Sequence, residues 1–223
     1  MIPLHDDVPS RTVPFVTIGL IVVNALVFGY ELQIPNDVQE RAFFASFAMT
    51  PAYLAHASSP SAYVTVFTSM FLHEGWLHII GNMWFLWIFG NNVEDSVGHF
   101  RFIIFYLLCG IGAATAQIAI SPDSTTPMIG ASGAISGVLG AYLLLFPRAR
   151  VLTLIPIFVF ARFIEVPAFL MLIFWFGLQL LSGWATLHTQ QGGGVAFWAH
   201  IGGFVAGMVL ILPFKKRSVR LFQ

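Results

Sequence analysis

Three short stretches carry polar side chains that an apolar chain has little reason to keep: His73-Glu74-Gly75-Trp76-Leu77-His78-Ile79-Ile80-Gly81-Asn82, Gly130-Ala131-Ser132-Gly133-Ala134-Ile135-Ser136-Gly137 and Ala199-His200-Ile201-Gly202-Gly203. A serine becomes a nucleophile only when a base takes its proton, and histidine is the side chain whose acidity suits that near neutral pH. Ser132 and His200 are therefore a candidate nucleophile and base. His78 and Asn82, four residues apart, share one helix face and can aim at one point between helices. Taken singly, His78 reads equally well as a packing histidine; the three groups together favour chemistry. No carboxylate is placed to complete a triad, because Glu94, Asp95 and Glu165 fall at the far side of the membrane from Ser132. Glu31, Asp37, Glu40, Glu74 and Asp123 lie in loops or at edges. The arrangement predicts a Ser–His dyad.

Metal chemistry is the rival that HEGWLH invites. The string is one residue too long for HExxH, and a five-residue step sets the two rings ~140° apart around a helix, which spoils joint ligation. No metal or cofactor is expected. Cys109 is the single cysteine, so an intrachain disulfide and a CxxC site are both excluded.

The elements that must position these groups follow from composition. Of the 223 residues 57% are hydrophobic and 9% charged, with mean hydropathy +0.83, whereas a soluble chain is about 25% charged. Such a chain lies in a lipid bilayer, and a net charge of zero argues against nucleic acid. Spans are predicted at Val13 to Leu32, Trp76 to Asn91, His99 to Ile120, Ala131 to Phe146, Val166 to Trp184 and Val195 to Phe214. Breaks are predicted at Asn91-Asn92-Val93-Glu94-Asp95, SPDSTTP, Pro147-Arg148-Ala149-Arg150 and Gly192-Gly193-Gly194. Val151 to Phe160 reads either as a re-entrant piece or as the start of span five. The fold expected is an all-α, six-helix transmembrane bundle, with a tail over 1–12, a six-span domain over 13–214 and a basic tail over 215–223. With the termini inside, Arg11, Arg101, Arg148, Arg150, Arg162, Lys215, Lys216, Arg217 and Arg220 are cytoplasmic and only Arg41 is outside.

Depth brings the three stretches together. The span from Ala131 runs ~24 Å against a ~30 Å hydrocarbon core, so its N-terminus begins below the outer surface. There it offers unpaired amides and a positive dipole end that suit a developing oxyanion. The irregular SPDSTTPMIG leading into it is tolerable at that depth only inside protein or beside a wet cavity. Gly130 and Ala131 would frame a tight pocket. Gly133 with Gly137, and Gly203 with Gly207, are close-packing pairs that would bring the serine near the histidine.

Taken in order, FTSMFLHEGWLHIIGN, GASGAISG and AHIGG resemble the rhomboid intramembrane serine proteases, and the similarity runs from about Val13 to Phe214. The resemblance implies Ser132 as nucleophile, His200 as general base, and His78, Asn82 and the Ser132 N–H as oxyanion donors. It gives His73 a structural place. The implied substrates are transmembrane proteins, and the expected setting is a prokaryotic plasma membrane. Two departures stand out: Val64-Thr65 replaces a Trp-Arg pair in the first loop, and Ser136 stands where others place an aromatic against the base. An inactive scaffold of the same family and a proton-coupled histidine carrier are the alternatives.

Overall fold

The computed structural model describes residues 2–56, 59–157, 160–188 and 195–223. It is mostly helical: α1 (Phe15–Glu31), α2 (Asp37–Phe47), α3 (Pro51–Ala55), α4 (Thr65–Thr68), α5 (Trp76–Val97), α6 (His99–Ile120), α7 (Ser132–Leu145), α8 (Ala168–His188) and α9 (Phe197–Phe214). Among the described residues α6, α8 and α9 are long and apolar enough to cross a membrane, while α1 and α7 are apolar but shorter. The predicted break at Gly192-Gly193-Gly194 lies outside the described residues.

The break expected at Asn91 is corrected, because α5 continues through the polar run to Val97 and stops at Gly98, whose φ is +93°. Tertiary partners make the polar residues tolerable. Glu94 is fully buried and accepts from the Val16 and Thr17 amides at 3.0 and 2.7 Å, and from the Thr17 hydroxyl at 2.7 Å. It thereby caps the first turn of α1, whose own N-cap is Pro14 with no side-chain acceptor. Asn92 donates to the Val8 carbonyl.

The all-helical expectation is also corrected. Residues 2–6 form β1 (Ile2–Asp6), and the stretch read as re-entrant or as the head of span five is a hairpin of β2 (Arg150–Ile157) and β3 (Phe160–Pro167). The sheet order is β1-β2-β3, antiparallel throughout, with Ile2 opposite Leu154 and Val151 opposite Val166. Valines, isoleucines and phenylalanines dominate this hairpin, and such residues favour a pleated strand over a helix of the same hydropathy. The sheet leans on the bundle through the Trp84 indole N–H to the Pro3 carbonyl, 2.6 Å, and a Tyr142 to Asp6 contact. The helix α8 begins only at Ala168.

At the centre lies α7, buried from Ala134 to Tyr142 and packed among α5, α6 and α9. Its backbone meets that of α9 directly. A Cβ on Gly203 would strike the Gly133 carbonyl, and one on Gly207 the Gly137 carbonyl, so only hydrogen allows this approach. In α8, by contrast, Ile173, Phe174, Leu178, Leu181 and Trp184 face outward, and Gly177 has open space around its Cα.

Candidate active site

Ser132 opens α7 and His200 sits in the first turn of α9, so the glycine contact between these helices sets their separation. The Ser132 Oγ to His200 Nε2 distance is 2.8 Å. Gln117 of α6 steadies the same turn of α9 by accepting from the Ala199 amide at 3.2 Å. Both side chains open onto a cavity of about 760 Å³ that His78 and Asn82 also line.

Gly130 connects the two walls of this cavity. Its φ of +109° is a conformation that a side chain would strain, and a Cβ there would meet His78 Nε2 at 2.6 Å. Its amide donates to the Ser69 carbonyl at 2.9 Å, and Met49 and Met128 bridge just before it, so the irregular lead into α7 is held within protein. His78 Nδ1 lies 3.5 Å from the Glu74 amide, which turns Nε2 toward Gly130. Asn82 spends one amide proton on the His78 carbonyl at 3.0 Å and keeps a second. The first amides of α7 have no intrahelical acceptor. His78 Nε2 and Asn82 Nδ2 both lie toward Gly130, two residues before Ser132, and all four residues line the same cavity.

His73 is placed behind this group and not in it. Its ring is 1% exposed and edge-on to His78 with centroids 5.1 Å apart. Its amide lies 3.3 Å from both Glu31 carboxylate oxygens, joining the end of α1 to the turn before α5. Burial, and then His78, push the His73 ring down to about 4, so it is neutral. Gly133 and Gly203 act through the helix contact, and Gly133 also lies against Ala113 of α6.

Two residues that the sequence reading missed come from α8. Gln179 Oε1 lies 2.8 Å from His200 Nδ1, and the Trp175 ring lies over His200 with centroids 6.1 Å apart at 34°. Trp175 brings an aromatic ring to His200 from α8, tilted and not stacked; Ser136 is buried and donates to the Ser132 carbonyl at 2.7 Å. Their spacing held the signal, since Trp175 and Gln179 are four apart on one face, and an amide inside a span is costly.

The rhomboid domain model matches residues 60–217, a stretch that holds Ser132, His200, His78 and Asn82. The chain belongs to the rhomboid family. It is 29% identical to RHOMBOID-like protein 12, mitochondrial, of Arabidopsis thaliana over 222 residues, covering 92% of this chain and 60% of that one. It is 34% identical to Rhomboid protease GluP of Bacillus subtilis over 66% of this chain and 26% of that protein. With Rhomboid protein 1, mitochondrial, of Saccharomyces cerevisiae it shares 30% identity over 66% of this chain and 40% of that one. This rhomboid therefore spans less than two thirds of the length of these relatives. The mitochondrial names of the Arabidopsis and yeast proteins overturn the expectation of a prokaryotic plasma membrane.

Proposed function

We propose that this rhomboid is an intramembrane serine endopeptidase that cuts transmembrane segments of other proteins in a mitochondrial membrane. The 2.8 Å approach of Ser132 Oγ to His200 Nε2 at a cavity shared with His78 and Asn82 carries the reading. Ser132 attacks the scissile carbonyl while its proton passes to His200 Nε2. The oxyanion that forms is met by the Ser132 N–H and the side chains of His78 and Asn82. Collapse expels the amine, which takes the proton from His200, and water then frees the acyl group from Ser132 by the same route in reverse.

In this reading α1, α5, α6, α7, α8 and α9 are the six spans, over residues 13–214. The tails 1–12 and 215–223 lie on the basic side of the membrane and the site lies near the other. A substrate helix hides its carbonyls in its own hydrogen bonds, so it must unwind before Ser132 reaches one. Gly or Pro near the outer third of the target span should speed cutting. The test pairs a fluorophosphonate probe with a model span carrying a Gly-Ala insertion at varied depth, assayed in liposomes. Activated Ser132 labels and the weakened span is cut faster. An unlabelled serine would favour an inactive scaffold, and equal cutting of both spans would remove unwinding as the limiting requirement.

A further inference from the structure

We infer that Gln179 is a positioning residue for His200, supplied by α8, and that the working unit is Ser132–His200–Gln179. The inference rests on the serine protease reading above. For His200 Nε2 to accept the Ser132 proton, the ring must carry its own hydrogen on Nδ1. A neutral imidazole holds one proton and can place it on either nitrogen, so something must choose. The amide oxygen of Gln179, 2.8 Å from Nδ1, can only accept, and it therefore selects the tautomer in which Nε2 is free to face Ser132 Oγ, itself 2.8 Å away. As the proton moves, the ring becomes a cation with both nitrogens donating, and the same oxygen takes the Nδ1 hydrogen through that step. The proton travels from Ser132 to His200 and then to the leaving amine; Gln179 gains and loses none.

The surroundings support the assignment. Gln179 lies within a segment whose neighbours are Gly177, Leu178, Leu180 and Leu181, where a solitary amide is costly unless it has a fixed partner. Trp175, one turn earlier, lies over the same ring, so two side chains on one face of α8 fix both the ring's plane and its rotation about that plane. No carboxylate hydrogen-bonds to His200 among the described residues, and Gln179 fills the place a third-member acid would take without adding a buried charge.

The experiment measures the fluorophosphonate labelling rate of Ser132, which needs the base but no peptide, alongside kcat and KM on a transmembrane substrate. Gln179→Met keeps length and apolar fit and removes the acceptor; Gln179→Glu keeps the acceptor. The Met variant should label roughly 10- to 100-fold more slowly, with kcat lowered in step and KM unchanged. The Glu variant should retain most of the parent rate. Thermal unfolding in detergent shows whether each variant is folded, and Gln179→Leu replaces the Met variant if that one is not. Labelling of the folded Met or Leu variant at the parent rate, or a loss confined to KM, overturns the inference. Absence of labelling in the parent protein itself would instead strike the serine protease reading.

Discussion

The α7–α9 contact and the α8 helix hold the same histidine by opposite means. Between α7 and α9 the backbones touch at Gly133, Gly137, Gly203 and Gly207, and nothing larger than hydrogen fits. Along α8 the contacts are side chains, Trp175 and Phe176 against Phe204, with most of the helix turned outward. A backbone contact fixes a distance, here that from Ser132 to His200. A side-chain contact can be remade, so it suits the ring's orientation. Stability and chemistry should therefore separate between the two regions.

The sharpest break comes from removing chemistry without touching the glycine contact. Ser132→Ala should lower cleavage on the order of 10⁴-fold or more while leaving the unfolding temperature in place, and His200→Ala should do the same. Residual cutting near the parent rate would take the nucleophile away from the rigid pair. Asn82→Ala removes one of the proposed oxyanion donors, on a third helix, and should cost roughly 3 kcal/mol or less of transition-state stabilisation, read as kcat. A variant as dead as Ser132→Ala would make Asn82 more than a donor.

Smaller effects test the packing half. Gly207→Ala drives a methyl into the Gly137 backbone and should destabilise the fold by about 1–3 kcal/mol in detergent unfolding. Gly177→Ala, in the open part of α8, should change stability by under about 1 kcal/mol, in the stabilising direction because alanine is the better helix former. If these two glycines responded alike, the contrast between a rigid contact and a loosely held helix would collapse.

What could be read from residues alone was whatever the bilayer punishes locally. Ser132, His200, His78 and Asn82 stood out because polar groups inside spans are costly, and α6 and α9 ended near where their apolar runs end. Gln179 obeys the same rule but is a single amide with no motif around it to mark it. The continuation of α5 through Asn92 and Glu94 could not be read, since what satisfies them lies far away in the chain, at Val8, Val16 and Thr17. The hairpin escaped for a related reason: its hydropathy matches a span, and only pairing with residues 2–6 declares it a sheet.

That sheet also governs timing. In β1, Ile2 to Asp6 leave the ribosome before their ladder partners Val151 to Leu154, which are made only after α1, α5, α6 and α7. Until then the opening strand waits with its amides and carbonyls unpaired, and closing so long a loop is slow. The β1–β2 pairing thus closes late in synthesis. Damage to β2 should show itself less in the finished protein than in how long newly made chains stay open to proteolysis.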